Sequence, residues 1–581
     1  MTEPLTKTPA AAPQVAPGRR TIPDLWRRGA ARDDSMPAYL VREGEAWREV
    51  PWSQAAERVD ALANGLLALG IRKGDTIAIL GSTKLEWALF DFAAACVGAV
   101  TAAIYANSSP KDCQFIIEHS EAIGVLAEDD EQLAKLEGGP QLRHILTFAG
   151  LDELADRGRA YATEHPQALD EAVAAIREDD VFTYIYTSGT TGSPKACMIS
   201  HLNYYAMVAV VDDLDDFTVE GDTMVLFLPL AHNFGRLMHL SGPYVGFTIA
   251  FCPDPLEVGE ALLTVRPTVF PSVPRVYEKV HTLVLAQFEA ATGVKRRLID
   301  WAVGVGRRVS ALKVAHEPIP ASLAAQHRLA SRLVYSKVQA RLGGRLRVGI
   351  SGGAPLAKEV AEFFHALDVL ILEGYGLTEC TSAATVNRPD NYRFGTVGPA
   401  LPGTELRLGE DDELLIRSET VFQGYFKDPE STRAVVDDDG WLRSGDVAAI
   451  DADGFVTITD RKKDILITAG GKNVAPANLE NLLKTSPYVS HVIVIGDRRP
   501  YVSALITLED DVRELPDIEE RIQALVDEVN GELSRYEQIK RFRILPRDFS
   551  ADEGEITPTL KLKRKVVQEN FAAEIDELYA G

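Results

Sequence analysis

Between Ser53 and Gly70, Val59, Leu62, Leu66 and Leu69 recur at helical spacing, which predicts an amphipathic helix with Ser53 as N-cap and Gly70 as its stop. A short apolar run, 76–80, follows, then a helical stretch over 84–96 and a second apolar run over 100–105. That alternation is the pattern of a parallel, doubly wound sheet. Further strands are expected at 182–186, 223–228, 268–270, 346–350 and 369–372, and 292–342 reads as helical because it holds few Gly or Pro. Near Glu405 the texture changes to short strands separated by Gly and Asp turns, at 413–417, 441–443, 448–451 and 455–459. After Asp460 comes the basic cluster Arg461, Lys462, Lys463, then strands at 491–495 and 502–508 and a helix near 518–533.

These elements imply an α/β chain of three parts after a tail. Residues 1–24, rich in Ala and Pro, read as disordered; 25–460 form a large domain of doubly wound sheets with a β-rich subdomain at about 400–460; 461–581 form a small, mobile α+β C-terminal domain. With 581 residues there is ample length for several cores. The uncharged run 92–109 approaches membrane-spanning length, but its alanines, Gly98, Asn107 and two serines argue for a buried helix and strand instead.

Composition then narrows the partners. The net charge of −24 argues against a protein that coats nucleic acid or anionic lipid, so any anionic ligand must meet a local basic site. The five cysteines are scattered without a CxxC pair, which implies free thiols in a reducing, cytoplasmic setting and no zinc site.

Three segments could carry chemistry. Thr187, Ser188, Gly189, Thr190, Thr191, Gly192, Ser193, Pro194, Lys195 follow an apolar strand; small residues let successive N–H groups turn toward one anion, and Lys195 adds positive charge. No Gly-Lys-Ser/Thr ends the segment, so it is not a Walker loop, and a plain Ser/Thr/Gly turn is the competing reading. Gly349, Ile350, Ser351, Gly352, Gly353 fit the G-x-S-x-G nucleophile elbow, which would make a serine hydrolase if His365 or His491 reached Ser351. The alternative is a Gly-rich turn that lets a ligand ring approach closely. Glu373, Gly374, Tyr375, Gly376, Leu377, Thr378, Glu379 follow another strand and offer an aromatic face, hydroxyls and a carboxylate suited to a base, a phosphate and Mg²⁺; a surface turn is the other reading.

Taken in order, YTSGTTGSPK, GYGLTE, SGDVAAID, TDRKKDILITAGGKNVAP and TPTLKLKRK resemble the adenylate-forming superfamily of acyl-CoA synthetases, luciferases and adenylation domains. FLPLAHNFGR, FPSVPRVYEKV, SGGAPL and GEITPTLKLKRK are similar to its bacterial long-chain fatty acid CoA ligases, over about residue 25 to the C-terminus. The resemblance implies that a carboxylate reacts with ATP and Mg²⁺ to give acyl-AMP and pyrophosphate, and that the acyl group then passes to CoA. A relative that loads an acyl carrier protein or an amine is the alternative. It assigns Thr187 to Lys195 to the phosphates, Glu379 to Mg²⁺, Thr378 to the α phosphate, and Tyr375 to adenine opposite Gly352, Gly353 and Ala354. Gly374 and Gly376 flank that tyrosine. Asp446 and Arg461 are assigned to the ribose, His232 to the acyl carboxylate, and Lys561 to the charge developing during adenylation. Lys463 is the implied hinge, and Gly470, Gly471 and Lys472 the CoA channel. Two positions depart from the common pattern: Leu560 and Ala196 stand where most relatives carry Gly. The implied partners are a fatty acid, ATP and CoA, with peripheral contact to membranes from which fatty acids are collected.

Overall fold

Most of the buried apolar side chains belong to two parallel sheets stacked with helices, as seen in a computed structural model that describes residues 19–137, 142–187, 194–550, 553–557 and 562–580. The expected helix runs Trp52–Ala68 and ends before Gly70, whose φ of +86° only glycine adopts readily. Its start differs from expectation. Pro51 holds the cap position without a side-chain bond, and the Ser53 amide and hydroxyl instead bind the Asp34 carboxylate at 3.0 and 2.6 Å.

One sheet has six strands in the order His144–Thr147, Gly124–Ala127, Thr76–Gly81, Val100–Tyr105, Val181–Thr187, Lys195–Ser200, all parallel except the last. The uncharged run 92–109 is thus half helix, Leu85–Cys96, and half central strand, covered on both faces and therefore apolar on both. Among the described residues no helix is long and apolar enough to cross a membrane.

The second sheet has eight strands. Its parallel centre is Ile371–Tyr375, Val348–Ser351, Val269–Ser272, Thr223–Leu226, Thr248–Phe251, in that spatial order. The chain leaves Thr223–Leu226 toward one edge and returns through Val269–Ser272 toward the other. That reversal opens a crevice at the carboxyl ends of the strands, where open α/β sheets bind ligands.

The stretch 292–342 is not one helix. Gly293–Val314 stops before Pro318 and Pro320, and the chain resumes as Ala321–Ala330 with a π turn at Ser331–Tyr335. In the β-rich region, the short strands expected at 441–443 and 448–451 merge into one, Leu442–Ile450, whose register shift between Val447 and Ala448 absorbs the bend. It pairs within a four-stranded antiparallel sheet that ends on Val456–Arg461. Beyond it lies a three-stranded sheet whose strand Val489–Ile495 alternates: Val492 and Val494 face the helix Ile518–Glu532, and Ile493 and Ile495 face Val567, Ile575 and Leu578. All five cysteines are free and buried.

One polar knot ties the two large sheets. Arg236, on helix Asn233–Ser241, and Asp91, on Leu85–Cys96, are both fully buried. The guanidinium grips both carboxylate oxygens and donates to the Thr183 and Thr101 hydroxyls at 2.7 and 2.6 Å, while the Phe182 and Trp87 rings cover it. Every charge in the knot has a partner, as burial requires.

Candidate active site

Three of the loops at the crevice carry residues singled out from sequence. After Thr223–Leu226 the chain reaches His232, which caps helix Asn233–Ser241 by accepting the Phe234 N–H on Nδ1 at 3.2 Å. After Val348–Ser351 come Gly352 and Gly353. A Cβ on Gly352 would lie 3.3 Å from the Phe234 ring, and Gly353 has φ +85°. After Ile371–Tyr375 come Gly376, Thr378 and Glu379; a Cβ on Gly376 would strike the Ser382 carbonyl at 1.9 Å, so only glycine fits. The parallel register Ser351↔Glu373 brings Gly352 and Gly353 alongside Gly374 and Tyr375. Asn233 ties the first loop to the third, donating from Nδ2 to the Thr378 carbonyl at 3.1 Å.

The Asp446 carboxylate, 4% exposed, is the best held charge in the crevice. It accepts the Tyr375 hydroxyl at 2.5 Å and Arg461 Nε at 3.1 Å. Burial and the adjacent carboxylate push the Tyr375 phenol well above its ordinary range, so it stays protonated and donates. Next to it on the strand, burial pushes the Glu373 carboxyl up to about 8, against the Leu356 N–H that it accepts at 2.9 Å.

Glu379 accepts the Tyr425 hydroxyl on Oε1 at 2.6 Å. Burial and Glu379 push the Tyr425 phenol up, so it too donates. Lys195 sits 5.1 Å above the Tyr425 ring, binds the Ser431 hydroxyl and pairs with Asp428 at 3.4 Å. Thr187 and Lys195 face each other across an antiparallel pair, so both ends of the Gly/Ser/Thr segment start from fixed strands. Ser188, Gly189, Thr190, Thr191 and Gly192 lie outside the described residues, as does Lys561.

Glu379 alone does not make a metal site, and among the described residues no group of three His, Cys, Asp or Glu side chains could hold a metal. Its second oxygen suits a cation that brings most of its ligands along, such as Mg²⁺ on a polyphosphate.

The structure also brings the C-terminal part against the crevice. A cleft beside Gly353, Ala354 and Pro355 is lined on its far side by Asp464, Glu480, Lys484, His491 and Leu562. Arg275, from FPSVPRVYEKV, spans the gap: it pairs with Glu509 and donates to Ser490 Oγ at 3.1 Å. Lys463 is exposed in the turn that follows Val456–Arg461. Gly470, Gly471 and Lys472 are not brought to this cleft. They form a separate exposed turn, with the Ala469 N–H donating to the Arg499 carbonyl and Lys472 lying 5.8 Å above the Tyr536 ring. A Cβ on Gly470 would find only Thr468, at 3.9 Å.

Around Ser351 no triad assembles. Its hydroxyl is fully buried with no partner among the described residues. His365 spends its two nitrogens on Ser310, 2.7 Å, and Tyr392, 2.9 Å, and His491 pairs with Asp548 at 2.8 Å.

Sequence reading missed Asn233, Tyr425 and Arg275. Arg275 was visible as a cation at a strand-to-helix junction within a quoted motif. Tyr425 precedes an Asp-Pro helix cap, Asp428–Pro429, but nothing local joins it to Glu379.

Comparison with known proteins agrees with this geometry. Residues 26–426 match the family model described as AMP-binding enzyme, and 463–581 match the AMP-binding enzyme C-terminal domain. The chain is similar to long-chain-fatty-acid–CoA ligase FadD15 of Mycobacterium tuberculosis, 38% identical over 94% of this chain and 95% of that one. It is also similar to long-chain-fatty-acid–CoA ligase ACSBG2 of Homo sapiens, 31% identical over 96% and 92%. Among solved structures, an anthranilate CoA ligase, AuaEII, in complex with anthranoyl-AMP superposes with a TM-score of 0.76 at 22% identity, covering 96% of this chain and 99% of that one. The adenylation domain of a carboxylate reductase from Mycobacterium chelonae gives 0.77 at 25%, covering 97% and 92%.

Proposed function

The chain belongs to the AMP-binding enzyme family, and on that premise we propose that it is an ATP-dependent long-chain fatty acid CoA ligase acting in the cytoplasm. A carboxylate and ATP give acyl-AMP and pyrophosphate; acyl-AMP and CoA give the thioester and AMP. The observation that carries this reading is the Tyr375–Asp446–Arg461 unit at the mouth of the sheet crevice. It offers a fixed carboxylate to a pair of ribose hydroxyls, beside an aromatic face opposed by side-chain-free Gly352 and Gly353.

On this reading Lys195 and the segment that begins at Thr187 hold the β and γ phosphates. Thr378 meets the α phosphate, and His232 orients the acyl carboxylate. Glu379, fixed by Tyr425, holds Mg²⁺, which when bound neutralises phosphate charge. Lys561 stabilises charge at the α phosphate during attack. Lys463 is the hinge on which the C-terminal part turns to present Gly470, Gly471 and Lys472 for the thioester step. The test is pyrophosphate release over acids of graded chain length, with acyl-AMP and acyl-CoA quantified together. Acyl-AMP that forms but never reaches CoA would favour a carrier-protein or amine acceptor.

Glu379→Gln should raise the KM for Mg²⁺·ATP by about tenfold, or about 1.4 kcal/mol, because a neutral amide is a poor ligand for a hard cation. Steady-state rates at rising Mg²⁺ should recover part of the loss; no change at low Mg²⁺ would remove Glu379 from the metal.

Arg275→Glu should slow pyrophosphate release about fivefold, the worth of roughly 1 kcal/mol in a partly exposed pair. Each partner is 26% exposed, so solvent screens it only in part. The contact holds the arrangement in which Leu562, adjacent to Lys561, lines the cleft with Gly353 and Ala354. Thioester formation from supplied acyl-AMP should not slow, and Arg275→Glu with Glu509→Arg should restore release.

A further inference from the structure

On the ligase reading, the carboxylate given to Mg²⁺ and the lysine given to the phosphates come from different sheets. Glu379 follows Ile371–Tyr375 of the eight-stranded sheet, and Lys195 opens the last strand of the six-stranded one. What joins them is the segment 419–426, held by its backbone at each unit it crosses. Asn203 Nδ2, in the first turn of helix His201–Asp212, donates to the Glu419 and Val421 carbonyls at 2.7 and 3.1 Å. Thr381 Oγ1 donates to the Thr420 carbonyl at 2.6 Å, and the Phe422 N–H donates to the Glu379 carbonyl at 2.9 Å. Residues 423–426 then extend the six-stranded sheet, running antiparallel to 196–198 with Tyr425 opposite Cys197. Neighbours on an extended chain point to opposite faces. Phe426 stacks on Tyr184 at 4.6 Å, and Tyr425 is turned the other way, to Glu379.

One side chain therefore meets both groups. Among the described residues the Tyr425 hydroxyl is the only donor to the Glu379 carboxylate, and it takes Oε1 at 2.6 Å, leaving Oε2 for a ligand. Its ring face lies 5.1 Å from the Lys195 ammonium, which Asp428 holds from the side at 3.4 Å. The ring has little room to move: it is buried, lies edge-on to Phe422 at 4.9 Å, and its backbone N–H is tied to Thr432 Oγ1 at 2.9 Å. Packing alone would be met by phenylalanine. The hydroxyl is accounted for only by the carboxylate that it aims.

We propose that Tyr425 is a positioning residue that sets the spacing between the metal carboxylate Glu379 and the phosphate lysine Lys195, so that both meet one metal–polyphosphate pair at once. This rests on the ligase reading above. Tyr425 acts through the two charged groups: binding one carboxylate oxygen aims the other, and the ring face keeps the ammonium close. A cation that arrives on ATP brings most of its ligands with it, so the site needs one aimed oxygen and not a cluster of acids.

The experiment separates the hydroxyl from the ring. Tyr425→Phe keeps the ring beside Lys195 and removes the brace on Glu379, whereas Tyr425→Leu removes both. Calorimetric titration of the full chain with ATP, in Mg²⁺ or in EDTA and without a fatty acid, reads the site in the absence of turnover. Tyr425→Phe should weaken Mg²⁺·ATP binding about fivefold and leave metal-free ATP binding as in wild type. Tyr425→Leu should weaken metal-free ATP as well, by about threefold, because Lys195 loses its platform. In steady state Tyr425→Phe should raise the KM for Mg²⁺·ATP more than it lowers kcat, with most of the loss recovered as Mg²⁺ is raised. Added to Glu379→Ala, Tyr425→Phe should cost nothing further, since the brace has nothing left to hold. A Tyr425→Phe variant that binds Mg²⁺·ATP as wild type does, that loses both forms of ATP equally, or whose loss adds in full to that of Glu379→Ala overturns the proposal and leaves the ligase reading standing. Wild type that binds ATP no better with Mg²⁺ than without it overturns both.

Discussion

Lys561→Ala should slow acyl-AMP formation by about a hundredfold to a thousandfold while leaving thioester formation from supplied acyl-AMP close to wild type. Attack of a carboxylate on the α phosphate gathers negative charge at one centre, and a fixed ammonium there lowers the barrier by about 3 to 4 kcal/mol. Transfer from acyl-AMP to a thiol makes no such demand on this side chain if the C-terminal part has turned away. The neighbouring cations have other duties: Arg564 is bound to Glu480 at 2.8 Å, and Lys565 faces Glu569 at 3.8 Å along its own helix. Single-turnover measurement of acyl-AMP and acyl-CoA together checks the split. Wild-type pyrophosphate release by Lys561→Ala, with loss in Lys563→Ala or Lys565→Ala, would move the role along the chain. Equal loss in both half-reactions would make Lys561 a general structural requirement.

Asp91→Ala should destabilise the large unit by about 3 to 5 kcal/mol, because it leaves the Arg236 charge buried without its counter-ion. Both groups are fully enclosed, so neither water nor salt can substitute. The first unfolding transition in urea, followed by tryptophan fluorescence, should move to lower denaturant. Asp91→Leu combined with Arg236→Met should recover much of the loss, since an apolar pair carries no desolvation penalty. A single variant within about 1 kcal/mol of wild type would mean that solvent reaches the knot. The variant matters for the site as well: Arg236 lies one turn into the helix that His232 caps and Asn233 ties to Thr378.

Much of this protein was legible from spacing alone. The helix ending before Gly70, the strand–helix–strand alternation from Thr76 to Tyr105 and the change to antiparallel strands near Glu405 are set by residues within a few positions of one another. Gly376 shows the limit of such reading. Its place in GYGLTE is plain in the sequence, but the reason no other residue fits is the Ser382 carbonyl folded back against it. Ser53 was misassigned for a similar cause, since Asp34, 19 positions away, captured the hydroxyl that would otherwise have capped the helix.

What the chain determined by itself is therefore the set of local parts: elements, turns, and the ordered segments in which Tyr375, Glu379, Asp446 and Arg461 stand. What only the tertiary structure decided is who meets whom. Tyr375 reaches Asp446 across 71 positions, Tyr425 reaches Glu379 across 46, Arg236 reaches Asp91 across 145 and Arg275 reaches Glu509 across 234. Those meetings follow from the order of strands in two sheets and from the side of each sheet on which a loop emerges. Backbone propensity is a property of neighbours, whereas a hydrogen bond between distant groups exists only after burial has fixed which strands lie together.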